Sequence, residues 1–315
     1  LTRAAIIGLA GPRLSAEEAA LFARHRPLGA ILFRRNVETP AQLAALTAEL
    51  REVLGEDAPL LIDQEGGRVA RLRPPHWAAH PPAAAYEGAP EAAIEAGATL
   101  LGRECAGVGC DVVCAPVLDL RLPGAHDVIG DRAFSAEPAE VARCGGAFLD
   151  GLQAAGCIPV LKHIPGHGRA LADSHLELPR VDADEAALAA DIAPFAALAR
   201  RGAWAMTAHI LYPAWDAARC ATLSPRVIGG VIRGEIGFDG VLVSDDLTMQ
   251  ALAGAASDLA AAAIGAGCDL VLHCNGVLAE TAALLAACPA LSDAAARRLA
   301  EARAARDAAQ RRAAA

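Results

Sequence analysis

Lys162 is the only lysine among 28 Lys and Arg residues, and it stands in Lys162-His163-Ile164-Pro165-Gly166-His167-Gly168. Arginine supplies positive charge everywhere else, so position 162 calls for a compact ammonium rather than a wide planar fork. Asp173-Ser174-His175 lies close by, and the two motifs together hold three of the nine histidines. A His two residues after an Asp can turn its ring back onto that carboxylate. The carboxylate would then orient the imidazole and favour its protonated form, giving a proton donor. The plain alternative is an Asx turn with an exposed His.

Two further stretches could do chemistry. In Val241-Leu242-Val243-Ser244-Asp245-Asp246-Leu247, Asp245 closes an apolar run and could serve as nucleophile, metal ligand or electrostatic stabiliser. Asp246 reads as the N-cap or a structural partner of the next helix. In Asp63-Gln64-Glu65-Gly66-Gly67-Arg68-Val69-Ala70-Arg71, Asp63 could hold a pair of sugar hydroxyls, or it could form an ion pair with Arg68 or Arg71. His163 and His167 have the H-x-x-x-H spacing of a zinc pair. That spacing places two ligands together only on a helix, which Pro165-Gly166 disfavours, and Lys162 would repel a dication. No metal and no cofactor is therefore expected.

These residues need elements to carry them. Short β-branched runs (4–9, 30–33, 60–63, 111–119, 158–163, 203–209, 241–245, 270–274) alternate with Ala/Leu/Glu/Arg stretches (16–26, 40–54, 91–108, 138–155, 183–200, 225–236, 250–265, 278–287). Such alternation predicts a parallel sheet, and eight units over about 280 residues match a (β/α)8 TIM barrel. A doubly wound open sheet fits less well, because no Gly-x-Gly-x-x-Gly turn comes after the first strand. The strand-closing residues are Asp63, Asp119, Lys162-His163, His209, Asp245 and Asn275. In a closed barrel those ends meet at one face, where barrel enzymes place their sites. The barrel is expected over 1–290, with 291–315 as a helical extension packed on it.

Composition narrows the partners. A net charge of −9 argues against nucleic acid and anionic membrane surfaces. No run of 18 or more residues is continuously apolar, so no membrane span is expected. Leu1 to Gly8 reads as a first strand rather than a signal peptide. The nine cysteines are odd in number and lack Cys-x-x-Cys spacing, which suggests reduced core residues in a cytoplasmic protein. No obligate protein partner is evident.

Lys-His-x-Pro-Gly-His-Gly, then Asp-Ser-His and Leu178-Pro179, resembles the signature of the single-domain β-N-acetylglucosaminidases of glycoside hydrolase family 3. Asp63–Arg68, Ala115–Asp119, Ile129–Arg132 and Ser244–Met249 occur in the family order, so the resemblance spans most of the chain. It implies removal of terminal β-linked N-acetylglucosamine. In the bacterial cell-wall recycling branch the substrate would be a muropeptide, N-acetylglucosaminyl-1,6-anhydromuramic acid with or without peptide. Carried over, Asp245 is the nucleophile and His175, paired with Asp173, is the acid/base. Asp63, Arg71, Arg132, Lys162 and His163 would bind the sugar, with His209 as a further strand-end residue of the site.

The resemblance also implies a retaining double displacement in which an Asp-backed imidazole replaces one carboxylate of the usual pair. Longer relatives add a domain that brings a carboxylic acid to the site, so here the proton donor is expected from the barrel or from another subunit. The Gly/Pro-rich 164–172 segment could swing His175 in and out. A histidine acid/base would also suit phosphorolysis; assay with and without phosphate, looking for a sugar phosphate, tests this. Two other functions compete. A Schiff-base aldolase would use Lys162 with a depressed pKa, and borohydride trapping would label it. A non-catalytic sugar-binding barrel would show no turnover of a chromogenic β-N-acetylglucosaminide.

Overall fold

The computed structural model describes residues 1–314. Its strands in chain order are β1 (Arg3–Gly8), β2 (Pro27–Leu32), β3 (Leu60–Ile62), β4 (Gln64–Gly66), β5 (Val69–Ala70), β6 (Val112–Val113), β7 (Ile158–Ile164), β8 (Trp204–Thr207), β9 (Leu242–Asp246) and β10 (Leu270–His273). All but β4 and β5 run parallel and close into an eight-stranded barrel. Their order around the barrel is the chain order, with β1 closing on β10. The β4 and β5 strands form a short antiparallel hairpin, which the sequence did not announce. Gly66 makes it possible: its φ is +99°, and a Cβ there would lie 2.2 Å from the Pro81 carbonyl oxygen.

The helices are α1 (Ala16–His25), α2 (Pro40–Leu54), α3 (Glu91–Gly107), α4 (Pro138–Ala154), α5 (Glu185–Leu198), α6 (Ala256–Ala266), α7 (Leu278–Ala287) and α8 (Asp293–Ala313). Their starts are chemically marked. Ser15 and Glu18 form a capping box at α1, and Thr39, Asp184 and Ser292 cap α2, α5 and α8 by accepting from backbone N–H groups. Strands and helices share one apolar core that includes Ile6, Leu61, Leu161, Phe195 and Leu272. Each fully buried aliphatic side chain of this kind contributes about 1.5–3 kcal/mol. The α8 helix packs on α4, burying Ala295, Leu299, Ala302 and Ala309.

Three elements differ from the sequence reading. The expected strand over 111–119 is regular only at Val112–Val113; Pro116 has no N–H to donate, and contact resumes where the Leu118 amide donates to the Lys162 carbonyl. The stretch 225–236 forms a π-helix over Val227–Glu235, in which the Ile236 amide reaches back to the Val231 carbonyl. The helix expected from Gln250 begins only at Ala256, because Gly254 has φ +127° and the Ala251 amide donates across the barrel mouth to the Ser174 carbonyl.

Candidate active site

Because all eight barrel strands are parallel, their C-terminal ends form one rim. A cleft of about 320 Å³ opens there, lined by Asp63, Glu65, Arg71, Arg132, Lys162, His163, His175 and Asp245 among others. That volume suits one small ligand. Phe33 stands at the wall with the Arg35 and Arg71 guanidinium groups over its ring, 4.9 and 5.5 Å from its centroid.

The floor is a row of alternating charges. Lys162, only 2% exposed, places Nζ 3.0 Å from Asp63 Oδ1 and 2.6 Å from Glu65 Oε1. Arg132 donates to both oxygens of Glu65, at 2.8 and 2.9 Å, and Arg71 donates to Asp63 Oδ2 at 3.0 Å. Burial by itself would raise the pKa of both carboxyls. For Glu65, Arg132 and Lys162 more than offset this and bring it down to about 2. For Asp63, Lys162 and Arg71 do the same and hold it well below the usual carboxylate range. Burial lowers Lys162, but Asp63 and Glu65 outweigh it and push the ammonium above its ordinary value. The groups are all charged, and with three cations to two carboxylates the row carries one excess positive charge.

Asp245 lies at the end of β9, where its Oδ1 accepts from the Asp246 amide at 2.8 Å. Burial pushes its pKa up, but His209, His163 and that amide bring it below the ordinary value, so it is a carboxylate at neutral pH. Asp246 is structural, as its sequence context suggested. Its carboxylate accepts from Thr248 N and Oγ1 and from Cys274 N, fixing the turn after β9 rather than capping a helix.

His175 also lines the cleft; it is 62% exposed on its side chain, and its Nδ1 lies 2.7 Å from Asp173 Oδ1. The same oxygen accepts from the His175 amide at 2.9 Å. Asx turn and ring pairing, alternatives in the sequence, are therefore present together. The Asp173 carboxyl is pushed up by burial but pulled below its ordinary value by the His175 amide and ring. With Nδ1 facing Asp173, the opposite nitrogen is left for chemistry. Residues 158–179 thus bring one end of the dyad to the rim that Asp245 also occupies.

Residues 4–310 match the Glycosyl hydrolase family 3 N terminal domain. The chain belongs to glycosyl hydrolase family 3. A beta-hexosaminidase from Methylococcus capsulatus is 44% identical over 275 residues, covering 85% of this chain and 81% of that protein. One from Alkalilimnicola ehrlichii is 43% identical over 86% of this chain and 80% of that one. Among solved structures, NagZ from Neisseria gonorrhoeae in complex with N-trifluoroacetyl-D-glucosamine superposes with a TM-score of 0.88 at 34% identity, covering 98% of this chain and 93% of that chain.

Within this family 3 barrel, one sequence expectation needs correction and one competing reading loses its basis. His209 does not line the cleft. It is fully buried, its Nε2 donates to the Asp246 carbonyl at 3.0 Å, and its Nδ1 lies 2.7 Å from Thr222 Oγ1. It braces the strand that carries Asp245. Nor is Lys162 an amine with a depressed pKa: two carboxylates hold it protonated, which removes the basis of the aldolase reading. Of the two partners suggested for Asp63, Arg71 is the real one, while Arg68 reaches Asp127 and Asp131. Sequence reasoning missed Glu65 as a site residue. Its signal was present: Lys162, Arg71 and Arg132 set against Asp63 alone leave positive charge uncompensated, and Glu65 is two residues from Asp63. Asp119, only a strand end in the sequence, holds His163 Nδ1 at 2.7 Å and accepts from the His163 and His167 amides.

Proposed function

We propose that the chain is a retaining β-N-acetylglucosaminidase with Asp245 as nucleophile and His175, backed by Asp173, as acid/base. The observation that carries this is the shared cleft: one ionised strand-end carboxylate and one Asp-paired imidazole beside a charged, mutually paired floor. The names of the family 3 relatives supply the sugar class.

In the first step an Asp245 oxygen attacks the anomeric carbon as the bond to the leaving oxygen breaks. Protonated His175 gives its proton to that oxygen, and a glycosyl-Asp245 ester forms. In the second, neutral His175 takes a proton from water, the water oxygen bonds to the anomeric carbon, and Asp245 departs as carboxylate. An imidazolium, unlike a carboxylic acid, leaves no second anion behind when it delivers its proton. Asp63, Arg71, Arg132, Lys162 and His163 orient the sugar through charge-assisted hydrogen bonds. Asp119 on Nδ1 of His163 fixes that ring in the cleft lining. No cofactor enters these steps.

The favoured natural substrate is the muropeptide N-acetylglucosaminyl-1,6-anhydromuramic acid, consumed in cytoplasmic cell-wall recycling. Nine free, buried cysteines accord with a reducing compartment, and no helix among the described residues is long and apolar enough to cross a membrane. Mass spectrometry of enzyme quenched with a 2-fluoro or 5-fluoro sugar tests the assignment. An adduct on the peptide containing Asp245 is expected; an adduct on another carboxylate, or direct hydrolysis with inversion of configuration, overturns it.

A further inference from the structure

Ser174 sits between the two members of the dyad, yet it behaves unlike them. It is 3% exposed, whereas the His175 side chain is 62% exposed and Leu176 beyond it is 67% exposed. Its Oγ lies 3.2 Å from His167 Nε2. Its carbonyl accepts from the Ala251 amide at 3.2 Å, beyond the turn after Asp245. One residue therefore ties the segment carrying the proposed acid to two separate walls of the cleft.

The His167 end of this tie is built into the barrel. The His167 amide donates to Asp119 Oδ1 at 2.6 Å, the carboxylate that also holds His163. Gly168 lets the chain pass close to the neighbouring wall, since a Cβ there would lie 2.3 Å from the Leu120 carbonyl oxygen. The His167 ring is buried, and among the described residues its Nδ1 has no hydrogen-bond partner. Burial, with His163 beside it, lowers its pKa to about 4, so at neutral pH the ring is uncharged and acts as a fixed hydrogen-bonding post.

We propose that Ser174, held by His167, is a positioning residue that sets His175 over the scissile bond and couples its placement to the turn behind Asp245. This rests on the acid role assigned to His175. Neither Ser174 nor His167 transfers a proton to substrate; they act by limiting where the imidazole can be. A displacement of about 1 Å in such a group can cost on the order of 10²-fold in rate.

The test compares wild type, Ser174→Ala, His175→Ala, the double variant, His167→Gln and His167→Phe on two substrates. One is a disaccharide with a poor, unactivated leaving group and the other an activated aryl β-N-acetylglucosaminide that needs little protonation. Ser174→Ala is expected to lower kcat/KM on the disaccharide by about 10²-fold and to leave kcat/KM on the aryl substrate within a few-fold of wild type, since kcat/KM reports ester formation and not the ester hydrolysis common to both substrates. His167→Phe should reproduce this, and His167→Gln, which keeps a hydrogen-bonding group in place, should restore most of it. Ser174→Ala should add nothing to His175→Ala, because it works through that residue. Equal losses on both substrates, no loss, or additive losses in the double variant overturn the proposal while leaving the acid assignment standing. If His175→Ala itself loses equally in kcat/KM on both substrates, the acid assignment falls and the positioning role falls with it.

Discussion

The cleft floor and the Asp173–His175 dyad solve different electrostatic problems. Lys162, Asp63, Glu65, Arg71 and Arg132 are mutually paired and mostly buried, so each group is ionised because its neighbour is. Asp173 and His175 are a two-residue pair on an exposed segment, in contact with solvent. A buried network holds fixed charge and fixed direction, which suits gripping hydroxyls. A pair open to water can gain and lose a proton in each cycle, which suits acid/base work. The contrast teaches where each substitution should register: in the floor on both stability and function, in the dyad on function alone.

The largest effect bears on the group that both regions serve. Asp245→Ala should reduce turnover by on the order of 10⁴-fold or more while sugar binding, measured calorimetrically, persists. Turnover close to wild type would detach the nucleophile from this carboxylate. Next, Glu65→Gln strips Arg132 of its bidentate partner and Lys162 of one of its two carboxylates. Breaking a buried pair costs about 3–5 kcal/mol, so denaturant unfolding should show a loss of that order along with weakened sugar binding. A change below about 1 kcal/mol would mean that water compensates the floor as readily as the rim, and the contrast would dissolve.

His175→Ala sharpens the other side. Loss of a general acid costs about 10²–10⁴-fold in kcat/KM on substrates with poor leaving groups and little in kcat/KM on activated aryl glycosides, and here within about 0.5 kcal/mol in stability. Asp173→Asn should move in the same direction by less. Unfolding at a lower denaturant concentration in either variant would show that the exposed dyad also carries the fold.

The smallest expected effect is in pH dependence. Glu65 falls from 4.5 to about 2 on folding, so its contribution is whole above the ordinary carboxylate value and is lost as pH drops toward 2. His167 falls from 6.5 to about 4, so its contribution, favouring the neutral ring, is whole above pH 6.5 and is lost as pH falls toward 4. Stability measured from pH 7 downward should therefore decline in two limbs. Glu65→Gln should flatten the lower limb and His167→Gln the upper, each by about 1–3 kcal/mol. An unchanged upper limb in His167→Gln would place that titration elsewhere.

Much of this arrangement was legible without coordinates, for a local reason. Eight apolar runs alternating with helical stretches, and polar residues closing most of those runs, are properties of neighbours in sequence. So is the Asp173–His175 pairing, two residues apart. A sequence determines such features because period and turn residues act over a few positions.

What tertiary structure alone decided lies between residues far apart. Lys162 meets Asp63 across 99 positions, Arg132 meets Glu65 across 67, and His163 meets Asp119 across 44. His209 and Asn275 close strands as Asp245 does, yet His209 turns into the wall and becomes a brace while Asn275 stays at the mouth. Ser174 is buried next to exposed residues because His167 and Ala251 reach it from elsewhere. Which strand end faces the cleft, and which carboxylate answers which cation, depend on barrel closure and register. Those arise from packing of the whole chain, and no window of sequence contains them.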